Sequence, residues 1–490
     1  MKSLKISLKA EIVLGAVLIL IAALRIPTLF EPYWYGDEGI FAAVANGILN
    51  HQTLYTQIWD NKPPLIYLTY ASVFKFFGPS MFALRATAAI FVVATGYLIF
   101  EIARHTLGLK RAFMALVIFT FLQAQIALEA NLALTEIFLI FYTTLAFWVY
   151  VRFRERKMLR PYFLAGIALG VGFMYKQVGA LDAAALGFFV LFAEKGAIKK
   201  DFLLTAGFLV PAAIVALVTI SNQTFQDFIF AAFTYYRIYL KEGPGLPPMF
   251  GVLKVLPVLL TLAYFLYLKK AKQSLRIELL FLIWLSFAIL GSLFSGRPYG
   301  HYLVQTLPAI SLSVASIRFS KQFRSVGSLA TFTTWGAIAI ILILAFSTFI
   351  SHNDPLKFGY WRNFLTYAKG DMSHKAYSDT FDRNAAKLDM AANYLKLKGA
   401  SGQYLYIWGE YAWLYPTSGA INSSKYVTSF HVFGIPTGRD EVSAELKAHE
   451  PLFIVVAPNN IGYFDQLSRL INTKYKLDII IDDVQIYRKI

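Results

Sequence analysis

The chain has 490 residues, of which 57% are hydrophobic and 15% charged, with a mean hydropathy of +0.54; soluble domains carry roughly 25% charged residues, so a soluble globular protein is excluded and a polytopic membrane protein is required. The formal net charge of +17 resembles a nucleic-acid signal, but it has first to be weighed against the Lys and Arg excess of cytoplasmic loops. There is no cysteine, which excludes disulfides and thiolate metal sites and leaves the redox compartment open.

The first residues, MKSLKISLKAEIVLGAVLILIAAL, have the basic start of a signal peptide. The apolar run is too long for one and no small-residue cleavage site follows, so a retained first helix is expected. Apolar runs of about 16–22 residues then recur, long enough for a bilayer core of about 30 Å. They predict about eleven helical spans, near 10–30, 82–103, 111–128, 133–151, 162–177, 179–194, 202–220, 251–268, 278–295, 301–317 and 328–350. Helix is the expected form because backbone polar groups must be satisfied without water.

Basic residues alternate along these connections. Lys2, Lys5 and Lys9 precede the first span, and Arg104, Lys110 and Arg111 follow the second. Arg152, Arg154, Arg156, Lys157 and Arg160 follow the fourth; Lys195, Lys199 and Lys200 the sixth; Lys269, Lys270, Lys272 and Arg276 the eighth; Arg318, Lys321 and Arg324 the tenth. Every second connection is basic, as an odd-numbered bundle with a cytoplasmic N-terminus requires. Topology accounts for much of the charge, and nucleic acid drops out as a partner.

The opposite, extracytoplasmic side receives the loop 31–63, the turns at 129–132 and 296–300, the junction at Lys176–Gln177, the loop 221–250 and everything after about 350. The segment 64–78, apolar but interrupted by Lys75, predicts a helix lying in the outer interface. The loop 221–250 ends in Gly243, Pro244, Gly245, Pro247 and Pro248 and could act as a mobile lid. Residues 1–350 thus form a transmembrane domain and 351–490 an extracytoplasmic α/β domain. In the latter, 381–398 fits an amphipathic helix, and 403–408, 451–457 and 477–488 are strand-like, with a helix between the last two. No internal repeat or low-complexity tract is visible.

The densest polar stretch is YWYGDEGIFAAVANGILNHQTLYTQIWDNKPP, 33–64. Asp37 and Glu38 stand between Gly36 and Gly39, which permit tight turns or close packing. Asp60 and Lys62 are held near two prolines, and Tyr33, Trp34 and Tyr35 suit an interfacial aromatic belt. The plain alternative is a solvated loop with surface acids. Further polar groups fall at the same membrane face: Glu129, Glu136, Lys176, Gln177, Arg297, His301 and Tyr302. One such residue alone would be explained by snorkelling to the interface. Acids and cations from at least four outer loops are expected to converge in one cavity, with a base to activate an acceptor and cations to neutralise a leaving phosphate.

The run GDEGIFAAVANGILNHQTLYTQIWDNKPPLIYLTYASVFKFFGPSMFALR, with ALTEIF, FMYKQVG, GRPYGHYLVQTLPA and IWGEYAWLYPTSGAINSSKY, resembles bacterial glycosyltransferase family 39-type enzymes. These are GT-C fold, polyprenyl-phosphate-sugar-dependent transferases related to protein O-mannosyltransferases and the lipid A aminoarabinose transferase. The resemblance implies Asp37 as the leading catalytic carboxylate and Glu38 as its support, or as a contact to acceptor or metal. It implies Glu136 at the second acidic position, where relatives usually carry Asp. Lys62 is implied to meet the donor phosphate, with Arg297, His301 and Lys176 assisting, while Asp60 and Tyr302 support acceptor or loop. Trp408, Gly409 and Tyr415 lie in its outer-domain motif, where packing alone would also explain them.

The implied reaction is inverting transfer of a sugar from a polyprenyl-phosphate-linked donor to a protein, lipid or glycan acceptor, in the inner (cytoplasmic) membrane among membrane lipids. No nucleotide-binding pattern appears. A divalent cation is left open: Asp37, Glu38, Asp60 and His301 have suitable atoms, but their spacing is no metal signature. A transporter or flippase of lipid-linked sugars is the rival, which predicts ionisable or helix-breaking residues near the midplane and often repeated halves. A non-catalytic scaffold leaves the acid-rich loop unexplained, and a glycan polymerase or ligase is closer in chemistry.

Overall fold

The apolar runs form helices whose residues are hydrophobic almost all round, as segments surrounded by protein and lipid must be. The computed structural model describes residues 7–156, 158–240, 249–270, 277–317, 336, 339, 343, 356–457 and 464–490. Contacts divide the chain into two units: Met1–Ile26, Ala86–Val215 and Pro244–Lys357 make the first, and Pro27–Arg85, Ala216–Gly243 and Phe358–Ile490 the second.

The first unit is helical. It contains α1 (Leu8–Ala23), most of α4 (Met81–Leu107), α5 (Leu109–Gln123), α6 (Thr135–Phe153), α7 (Arg160–Phe173), α8 (Gly179–Ala193) and most of α9 (Ala197–Ser221). Helices Leu256–Lys270, Glu278–Ser292 and Leu307–Ser316 follow, the last led by a 3-10 turn, Gly300–Thr306. Between α1 and α5 the helices α2 (Gly36–Leu49) and α3 (Leu65–Phe77) belong to the second unit.

Among the described residues, Leu8–Phe30, Met81–Leu107, Thr135–Phe153, Ala197–Ser221 and Phe250–Lys270 are long and apolar enough to cross a membrane. The other predicted spans through 317 are shorter apolar helices at the expected places. The predicted span 328–350 lies essentially outside the described residues, as do the breakers Gly243 to Pro248 of the suggested lid. The segment 64–78 is helical as α3.

Close packing inside the first unit depends on small residues. A Cβ at Gly166 would stand 2.1 Å from the Leu204 carbonyl oxygen, and one at Gly170 would stand 2.3 Å from that of Phe208. The backbones of α7 and α9 therefore touch, as in small-residue helix pairs of membranes. Elsewhere α9 leaves Phe202, Leu209, Ile214 and Leu217 exposed, which suits contact with lipid tails.

The second unit combines the loop 31–63 with the C-terminal segment. Its sheet has the order β2-β1-β3-β5-β4, where β1 is Tyr404–Trp408, β2 Ile421–Asn422, β3 Phe453–Val456, β4 Tyr475–Ile481 and β5 Val484–Lys489. β1 runs parallel to β2 and β3, while β5 pairs antiparallel with β3 and β4. The strand-like run 477–488 is in fact two strands: Asp482, at φ 54°, turns the chain back, a conformation that Asp tolerates better than the apolar residues around it. The amphipathic helix is Ala385–Leu397 and the later one Asp465–Lys474. Trp408 and Tyr415 are core residues, the Tyr415 hydroxyl accepting from the Ile407 N–H at 3.1 Å, and Gly409 occupies φ 150° beside Ala457.

The loop is joined to that domain by backbone and side-chain bonds. The Trp59 N–H donates to the Lys425 carbonyl (2.9 Å), Asn46 to Ala420 (2.9 Å), Gln52 to Asn422 (3.0 Å), and the Trp413 indole to Tyr35 (3.2 Å). A Cβ at Gly39 would lie 2.8 Å from Trp413 Cδ1, whereas Gly36 faces open space.

Candidate active site

The chain enters α2 at Gly36, so Asp37 and Glu38 both fall in its first turn, where unsatisfied N–H groups and the helix dipole favour negative charge. Their fates differ. Glu38 is fully buried and takes both Arg85 Nε (2.7 Å) and Arg85 Nη2 (2.5 Å), one per carboxylate oxygen. Arg85 also donates to Glu31 (3.0 Å), whose other oxygen accepts the Tyr360 hydroxyl (2.6 Å). Trp34 donates to Glu31 as well (2.9 Å), so part of the expected aromatic belt serves this network. Glu38 thus anchors the turn, with Arg85 on both its oxygens. Asp37, one residue earlier, remains half-buried.

The same unit holds Asp60 and Lys62. Asp60 is buried, accepts the Tyr67 hydroxyl at 2.7 Å, and has His431 Nε2 3.7 Å away. Lys62 is half-buried and donates to Asn61 at 2.7 Å, while its backbone is held by Tyr67 and Tyr55. Burial alone would disfavour its ammonium, but Tyr236, Asp60 and Asp37 outweigh that and raise the pKa, so Lys62 is a secure cation. His431 behaves oppositely. Burial pushes it down to about 4, Asp60 opposing and Lys62 adding to the fall, so it is neutral at pH 7. Trp59 packs edge-on against His431 and Tyr235, each at 5.0 Å between centroids.

The first unit holds the remaining candidates. Glu136, in the first turn of α6, pairs through one oxygen with Lys176 and accepts the Thr135 hydroxyl (2.8 Å) on the other. His301 Nε2 lies 3.8 Å from Glu136, and its Nδ1 lies 2.6 Å from Glu129. Lys176 Nζ sits 3.9 Å above the Tyr302 ring, a favourable place for a cation. Arg297 is buried in the turn before His301, its N–H donating to Ser295 at 3.3 Å. Behind this cluster, Asp182 accepts Trp284 Nε1 (2.7 Å) and Gln305 Nε2 (2.8 Å), fixing the 3-10 turn that carries His301 and Tyr302 to α8.

Asp37, Glu38, Asp60 and Lys62 belong to one unit, and Glu136, Lys176, Arg297, His301 and Tyr302 to the other. Sequence reading missed Arg85, His431 and Asp182. Lone charges inside apolar runs, as in FALRA and GALDAA, were the available signal for two of them; His431 has no local signal. Among the described residues no three His, Asp or Glu side chains gather to hold a metal ion. Of the residues named as possible ligands, Glu38 is held by Arg85, Asp60 lies against Tyr67 and His431, and His301 lies against Glu129.

Residues 61–222 match the family described as Dolichyl-phosphate-mannose-protein mannosyltransferase. A relative from Aquifex aeolicus (strain VF5), described as an uncharacterized protein, is 25% identical over 350 residues, 67% of this chain and 68% of the relative. The crystal structure of ArnT from Cupriavidus metallidurans bound to undecaprenyl phosphate matches with a TM-score of 0.61 at 14% identity, covering 99% of both chains. The same protein in its apo state matches at 0.59, again at 14% identity and over 98% of both chains. The chain is a multi-pass membrane protein with the GT-C glycosyltransferase fold over its length, and its residues 61–222 carry the mannosyltransferase-family match.

Proposed function

We propose that the chain is an inverting glycosyltransferase that moves a sugar from a polyprenyl-phosphate-linked donor to an extracytoplasmic acceptor: a protein hydroxyl, lipid A or a surface glycan. The observation that carries this reading is the half-buried Asp37, held at a helix start by its neighbour's ion pair and within electrostatic reach of the cationic Lys62. The family match and the undecaprenyl phosphate bound to ArnT support a lipid phosphate as the leaving group. The alternation of basic connections supports an inner-membrane protein with a cytoplasmic N-terminus and an outer C-terminal domain.

In this reaction the Asp37 carboxylate takes the acceptor O–H proton as that oxygen attacks the anomeric carbon. The bond from that carbon to the phosphate oxygen breaks, its electron pair leaving with the polyprenyl phosphate. Lys62 offsets the added negative charge, which is the larger effect in a site shielded from water. Attack opposite the leaving group inverts the anomeric configuration. Glu136, Lys176, Arg297 and His301 are assigned to the donor, Lys176 exchanging its carboxylate partner for phosphate. Glu38 acts through the position of Asp37.

Release of free polyprenyl phosphate from polyprenyl-phosphate sugars, with a membrane extract as acceptor source, tests the reading. Asp37→Asn keeps the size and shape of the side chain but no base, so turnover is expected to fall by about 10²–10⁴-fold at unchanged thermal stability. Equal turnover in both proteins overturns the role of Asp37. Folded wild type inert toward every donor would instead favour transport.

A further inference from the structure

The structure carries a second polar site that the transfer reaction does not use. The α6–α7 and α8–α9 connections, both basic, come together at one end of the first unit. There Glu194 is saturated: one oxygen accepts the Tyr150 hydroxyl (2.5 Å), the other the Tyr162 hydroxyl (2.5 Å) and Lys200 Nζ (2.6 Å). Beside this carboxylate lies a cavity of about 300 Å³, lined by Tyr150, Phe189, Arg154, Lys195 and Lys200. Arg154 is half-buried and Lys195 exposed, and among the described residues neither makes an ion pair. The exposed Glu155 is the other carboxylate in the lining, so three cations face two acids, of which Glu194 is already satisfied.

We propose that this cavity binds the phosphate headgroup of an anionic membrane phospholipid. Its size suits a headgroup rather than a whole lipid, since pockets for drug-sized ligands begin at about 300 Å³. Arg154 supplies a planar fork for phosphate oxygens and Lys195 a mobile point charge, while Tyr150 and Lys200 form the floor. Two features select a lipid over free phosphate. The cavity lies where helices end in basic connections, the usual place for headgroup recognition between membrane helices. Next to the lining residues in the chain, Leu191, Phe192, Ile198 and Phe202 are exposed, apolar surface for acyl chains on α8 and α9. The site is independent of the transferase reading.

The test uses the full-length protein in detergent, exchanged with vesicles of phosphatidylglycerol and phosphatidylcholine and then measured by native mass spectrometry. Wild type should retain phosphatidylglycerol over phosphatidylcholine by about tenfold, and Arg154→Ala with Lys195→Ala should abolish that preference. The charge-matched pair Lys9→Ala with Lys110→Ala, at other exposed positions, should keep it. Absence of preference in wild type, or equal loss in both double variants, overturns the proposal. Displacement of phosphatidylglycerol by an equal concentration of inorganic phosphate would also overturn it, by making the lipid irrelevant. Unchanged melting temperature in the first pair separates lost binding from lost folding.

Discussion

Glu38 and Glu136 invite comparison: each is a buried carboxylate in the first turn of a helix, each paired with a cation. Glu38 is gripped by a guanidinium fork that is itself fully buried and shared with Glu31. Such a pair has one geometry, because two parallel bonds fix both planes. Glu136 is held through one oxygen by an ammonium that also rests on the Tyr302 ring and through the other by the neutral Thr135 hydroxyl, with His301 at longer range. An ammonium on a flexible stem can exchange partners without dismantling the fold. The difference teaches that burial and charge pairing do not by themselves mark a reacting group; the cation's geometry separates an anchor from an exchangeable contact.

The sharpest way to break this comparison is Arg85→Met. It leaves Glu31 and Glu38 buried without their shared cation, and truncating one partner of such a network costs about 3–5 kcal/mol. Thermal unfolding in detergent should show this as a large fall in melting temperature, with Arg85→Lys only partly restoring it. Glu136→Gln should lower melting far less while reducing polyprenyl-phosphate release by about tenfold or more. Equal destabilisation by the two substitutions would erase the distinction between anchor and contact.

Acidification should act mainly on the second unit. The folded-state pKa of His431, about 4, lies below its ordinary value of 6.5, so between these values the unfolded chain binds more protons and stability falls as pH falls. The His431 contribution is complete above about pH 6.5, is lost progressively toward pH 4, and amounts to about 3 kcal/mol at most. Unfolding midpoints across that window check this, and His431→Gln should flatten the dependence. The smallest effect expected is from Asp182→Asn, behind the 3-10 turn of His301, which keeps the shape but, with a single acceptor oxygen, can take only one of the two N–H donors, Trp284 Nε1 and Gln305 Nε2. A loss of about 1–3 kcal/mol is expected, with turnover reduced through misplacement of that turn.

How much was legible follows from the range of each interaction. Helices at the predicted places up to residue 317 could be read from apolar runs, because lipid forces every backbone group to bond within its own segment. Asp37 and Lys62 were likewise visible as charges where a membrane chain has reason to avoid them. The turn at Asp482 was not, since an apolar run broken by two acids reads equally as an edge strand and as a hairpin. The consumption of Glu38 by Arg85, 47 positions away, and the approach of His431 to Asp60 depended on pairings that no local pattern encodes. Local composition by itself therefore determined the membrane class, the helical segments and which residue types carry chemistry. Only the tertiary structure decided which carboxylate anchors, because that depends on where distant chain segments place their cations.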